Sequence, residues 1–174
     1  VTGPWRKLIN ETEDLVDNIT KTKNEINNAG GSFSSETNEL LNNLTTLRDN
    51  MKNYYNNNEN EFEHLDKLDE SCRKLRSFSR NLSYVSSEGG KEMFSFYSSV
   101  VAPALLTPSK DEKIRNLMQK NIQSKKRLEK RFSHVLDNGY CKYTGMLEDI
   151  EGLDKWFDTD LDERISGYKL DVGK

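Results

Sequence analysis

The sequence predicts an all-α protein: an elongated antiparallel helical bundle of about five helices with coiled-coil-like heptad packing. Three observations predict it. Apolar residues recur at steps of three and four along most of the 174 residues, and no strand-like alternation of apolar and polar residues is visible. Only three prolines interrupt the pattern, Pro4, Pro103 and Pro108, leaving two long tracts free to be helix. One hydrophobic residue in three is low for a globular chain, but the helical spacing argues for amphipathic helices over disorder. The length fits a single domain, 1–174.

The first helix is predicted over 5–29. Trp5, Thr12, Ile19 and Ile26 form one seam position, and Leu8, Leu15, Thr22 and Ala29 form the other. Gly30-Gly31-Ser32 ends it, because glycine tolerates the left-handed conformation that closes helices. Ser34 or Ser35 caps a second helix, 35–55, with Leu40, Leu44, Leu47, Met51 and Tyr54 as its seam. The same phase runs on through Leu65, Leu68, Cys72, Leu75 and Leu82, so residues 36–86 read as one rod or as two helices. Asparagines 56–58, poor helix formers, favour a break and a third helix over 59–86.

Ser86-Ser87-Glu88-Gly89-Gly90 interrupts the chain, and a short apolar helix bent at Pro103 is expected over 91–106. A helix over 110–137 follows, opened by a capping box from Ser109 to Glu112. Its stripe is Ile114, Leu117, Asn121, Ile122, Leu128, Phe132 and Val135, and Asn138-Gly139 closes it. A less regular helix is expected over 145–166.

Composition and motifs narrow the chemistry. A formal charge of −3 gives no global attraction to nucleic acid or anionic lipid, so any polyanion binding must be local. The longest apolar stretch, Val100 to Leu106, falls far short of the roughly 18 residues that cross a bilayer, so no membrane span is expected. Glu61 and His64 have the Glu-x-x-His spacing of di-iron bundles, but the second histidine, His134, has Arg131 where the matching carboxylate belongs. Asp158, Asp160 and Asp162 open like a calcium loop, yet Glu163 and Lys169 stand where glycine and the closing glutamate are required. No nucleophile elbow, phosphate loop or zinc spacing occurs; no catalytic, cofactor-binding or metal residue is expected, and no enzyme.

Local features remain. Lys120, Lys125, Lys126, Arg127, Lys130 and Arg131 make one helix surface basic, a candidate for glycosaminoglycan or an acidic protein face; the acids from Glu148 to Glu163 could instead fold over it. No aromatics interleave this run, which counts against nucleic acid. Phe94 to Leu106 reads as dense core or as the lining of an apolar ligand cavity. Cys72 and Cys141 form one candidate disulfide, the alternative being two thiols in a reducing compartment. N-x-S/T sequons stand at Asn10, Asn18, Asn43 and Asn81, all outside the seams. Sequons and cysteine pair together point to a secreted protein, and a start at Val1 implies that any signal peptide has been removed.

A small helical chain with this cysteine pair, these sequons and segments such as Lys21-Thr22-Lys23-Asn24-Glu25 resembles the saliva proteins of blood-feeding insects, mosquitoes in particular. Surface antigens of protozoan parasites are similar in the same respects. The first resemblance implies a host-directed effector that binds blood or immune-cell proteins. The expected function is therefore a secreted, non-enzymatic helical binding protein, a monomer with a protein partner, a glycosaminoglycan being a second partner class and no cofactor required. The alternatives are a carrier of apolar ligands and an intracellular coiled-coil scaffold.

Overall fold

The computed structural model describes residues 2–88, 91–92, 100–101 and 108–143. The fold is all-α, with helices α1 (Thr2–Asn28), α2 (Ser35–Asn58), α3 (Leu65–Ser86) and α4 (Pro108–Asp137). The chain divides into two compact units, Val1–Leu136 and Asp137–Lys174, where the sequence predicts one domain. The division falls at the helix-stop signal Asn138-Gly139, where Gly139 has a φ of 62°, in the left-handed region. A short helical segment, 139–143, opens the second unit.

In α1, Pro4 lies in the first turn, where a missing N–H costs nothing. Every seam residue from Trp5 to Ile26 is buried, joined by Ile9 and Val16. The two threonines that dilute the seam are satisfied within the helix: Thr12 donates to the Leu8 carbonyl at 2.7 Å and Thr22 to that of Asn18 at 2.9 Å. At the C-terminus the Gly30 N–H donates to Asn27 O at 3.0 Å and the Gly31 N–H to Ile26 O at 2.9 Å, the paired bonds of a Schellman cap. Gly30 takes a φ of 86° to make them, a conformation unfavourable for a side chain.

Ser34 caps α2 by accepting from the Thr37 N–H at 3.2 Å. The rod reading of 36–86 is excluded. Asn58 is the last residue of α2, and its side-chain amide folds back to donate to the Tyr54 carbonyl at 2.8 Å, while the Glu59 N–H donates to the Tyr55 carbonyl. A 3-10 turn, Glu59–Glu61, follows, and α3 begins at Leu65. Beyond the break the expected phase holds at Cys72, Leu75 and Leu82, all buried, while Leu65 is 68% exposed and Phe62 and Phe78 also enter the core.

Helices α1 and α2 run antiparallel, with Arg6 beside Glu59 and Glu13 beside Lys52. Helix α3 returns along α2 after the short connection. Trp5, with no exposed surface, sits among Tyr54, Tyr55, Phe62 and Phe78, all with ring centroids between 5.4 and 6.2 Å away, so three helices share one aromatic core. Helix α4 lies antiparallel to α1, as three pairs show: Lys113 with Glu25, Asn121 with Thr22, and Arg131 with Glu11. The α1 seam is thus consumed within the chain. Pro108 takes the first turn of α4, so Ser109 is inside the helix and cannot be its N-cap.

The helix expected over 91–106 is contradicted where the chain is described. Lys91–Glu92 (β3) pairs with Ser87–Glu88 (β2), and Val100–Val101 (β4) pairs with Ser32–Phe33 (β1), antiparallel in both cases. Gly89-Gly90 between the first pair is a sequence typical of two-residue hairpin loops, and β-branched valines suit a strand. Two-residue pairings add no sheet layer. Residues 93–99 and 102–107, with most of the Phe94 to Leu106 stretch, lie outside the described residues, as does the helix expected over 145–166.

Candidate functional site

Helix α4 divides sharply by charge. Its buried face is Ile114, Met118, Asn121, Lys125, Leu128 and Phe132, spaced four, three, four, three, four. Asn121 is held there because its amide donates to the Thr22 hydroxyl at 2.9 Å, fixing how α4 lies on α1. Lys125 departs from the expected basic surface. It is only 6% exposed and its ammonium donates to Glu129, one turn on, at 2.6 Å. The long aliphatic stem fills the stripe while the charge is neutralised beside it.

The remaining members of the predicted surface, Lys120, Lys126, Arg127, Lys130 and Arg131, are exposed, joined by Lys113, Arg115 and His134. From Lys113 to Leu136 the helix carries eight lysines and arginines against a single acid, Glu129, which Lys125 already occupies. Lys113 pairs with Glu25 at 3.2 Å, Arg115 with Asp111 at 3.4 Å, and Arg131 with Glu11. Arg127 donates to Ser124 at 3.0 Å. Between the cations the exposed side chains are Asn116, Gln119, Gln123 and Ser133, with no large apolar group among them. The acids from Glu148 to Glu163 lie outside the described residues.

A groove runs along one edge of this face, between Glu11, Asp14, Leu15 and Asn18 of α1 and Ser124, Arg127 and Arg131 of α4. All four sequon asparagines, Asn10, Asn18, Asn43 and Asn81, are exposed, and Asn18 is the one that lines the groove.

Elsewhere the predicted motifs are accounted for by structure. Glu61 pairs with Lys67 at 3.5 Å, and His64 is exposed beside Glu63. Among the described residues no three His, Cys, Asp or Glu side chains converge as a metal site. Asp158, Asp160 and Asp162 lie outside them. Cys72 and Cys141 are both disulfide-bonded, and as the only two cysteines they are each other's partner. Among the described residues no helix is long and apolar enough to cross a membrane. A bundle of amphipathic helices presenting one cationic face is the class that fold and surface define. No family model matches this sequence, and neither a curated protein nor a solved structure is similar to it.

Proposed function

We propose that this chain is a secreted, non-enzymatic binding protein that holds a sulfated polysaccharide along the outer face of α4. One observation carries the reading: seven exposed lysines and arginines lie between Lys113 and Leu136, three of them paired with acids outside that span, and its single acid, Glu129, is taken by the buried Lys125, on a chain whose formal net charge is −3. Such segregation concentrates positive potential on one surface, and displaced counterions then favour association with a polyanion. Protein interfaces draw most of their energy from buried aromatic or aliphatic anchors, and this face displays amides and cations instead. Single-stranded nucleic acid would use stacking platforms, which the face also lacks.

Secretion belongs to the same reading, since the disulfide is of the kind that persists outside the cell. The host-directed role among blood and immune cells, whose surfaces carry such polysaccharides, is its wider setting. A monomer is proposed because the α1 seam is spent on α2, α3 and α4 and none of it is left to pair chains.

Heparin-affinity chromatography of the full chain, purified without glycans, tests the proposal. Retention should fall as salt rises, and Lys126→Glu/Arg127→Glu/Lys130→Glu should lower affinity on the order of tenfold or more near 0.15 M salt. Equal retention of wild type and the triple variant would reject α4 as the binding face.

A further inference from the structure

The geometry points to Asn18 as an N-glycosylation site whose glycan governs access to the cationic face of α4, an inference that rests on the reading of that face as a binding surface. Asn18-Ile19-Thr20 is a sequon in the middle of α1. Leu15 and Thr22, three residues before Asn18 and four after it, are its neighbours along the helix. Thr22 is the residue to which Asn121 of α4 is bonded, and Leu15 lines the groove that α1 forms with α4. Asn18 therefore stands on the side of α1 that meets α4, exposed, and opposite Ser124, Arg127 and Arg131.

The other three sequons are placed differently. Asn10 lies eight residues earlier, about 12 Å along the α1 axis, and does not line the groove. Asn43 lies on α2 and Asn81 on α3, each eleven residues, or three turns, from a partner in the hydrogen bond that joins Tyr54 to Glu70. No sequon occurs on α4 itself. Asn18 is thus the sequon asparagine that lines the groove at the edge of the cationic face.

A branched N-glycan is bulky and uncharged over its core, so at Asn18 it would screen the Arg127 and Arg131 edge and crowd a polysaccharide lying along α4. The unoccupied glycoform would bind and the occupied one would bind weakly. One gene product then yields two populations with different affinities, set by how completely one asparagine is modified.

The test expresses the full chain in a eukaryotic secretory host and maps sequon occupancy by mass spectrometry after enzymatic deglycosylation in ¹⁸O water. Heparin is the binding probe. Asn18 should be occupied, and Thr20→Ala, which removes the sequon without altering a groove side chain, should bind roughly tenfold more tightly than the glycosylated wild type. Trimming every glycan to its first sugar with an endoglycosidase, which leaves each asparagine an amide, should bring wild type close to the same affinity, while Asn43→Gln should leave the wild-type affinity unchanged. An unmodified Asn18 overturns the inference. So does a Thr20→Ala protein indistinguishable from wild type while Lys126→Glu/Arg127→Glu/Lys130→Glu loses affinity. If that charge-reversed variant also binds unchanged, the α4 reading itself has failed, and the two failures are told apart.

Discussion

Lys67, in the first turn of α3, and Lys130, on α4, carry the same side chain and serve opposite ends. Lys67 is enclosed by acids, 3.0 Å from Glu70 and 3.5 Å from Glu61, and Glu70 also accepts from the Tyr54 hydroxyl at 3.0 Å. These four groups tie α2 to α3 at the edge of the aromatic core around Trp5. Lys130 is exposed on a face where the nearest residues in sequence are Glu129, already taken by Lys125, and another cation, Arg131. The difference teaches that charge in this molecule is structural where acids and bases alternate across a helix junction, and available to a partner where one sign is segregated.

Substitutions at the two regions should therefore separate stability from binding. The largest effect is expected at the corner: Trp5→Ala removes the hub of five rings and should cost about 3–5 kcal/mol in chemical denaturation, while the α4 triple reversal leaves the folding free energy nearly unchanged. Next comes the pair Lys125→Ala and Lys126→Ala. The first empties part of the buried stripe and strands Glu129, with an expected cost of roughly 2 kcal/mol, whereas the second should change stability by less than about 0.5 kcal/mol. Equal costs would show that Lys125 is no more structural than its neighbour.

The smallest effect is pH-dependent. The hydrogen bond from Lys67 is the main influence holding Glu70 below the usual carboxylate range, against the opposing effect of burial, with Tyr54 assisting. A lowered folded value means that Glu70 contributes stability above pH 4.5, and that this is lost as pH falls through the lowered value. Burial first, and then the bond to Glu70, push the Tyr54 hydroxyl well above its ordinary value. Its contribution is therefore complete below about pH 10 and is lost as pH rises beyond that. Thermal midpoints across pH should show a small acid-side loss that Glu70→Gln removes and an alkaline loss that Tyr54→Phe removes. The α4 reversal should alter neither.

How much of this was legible in the sequence depends on whether the cause is local. The α1 seam is set by three-four spacing, and Gly30-Gly31 states its end; both are visible along the chain. The stripe of α4 was visible in part: Ile114, Asn121, Leu128 and Phe132 are buried as the spacing predicts, but Leu117, Ile122 and Val135 are only half-buried, Met118 takes a core place, and Lys125 falls in phase between Asn121 and Leu128, where a lysine reads as surface until its stem is seen in the core. Its signal was Glu129, four residues on. The pairing of Val100–Val101 with Ser32–Phe33 joins segments almost 70 residues apart, which periodicity cannot register. At the candidate site the cations are plain in the sequence; that Asn18 of α1 faces them is decided by the packing of two helices.

The bond between Cys72 and Cys141 has a further consequence wherever a protease meets the molecule. Any single cut by a protease between those two positions leaves both pieces joined through sulfur, so the severed protein keeps α1, α2 and the first turns of α3 attached to whatever follows the cut. Such damage stays invisible by size until a reductant separates the halves.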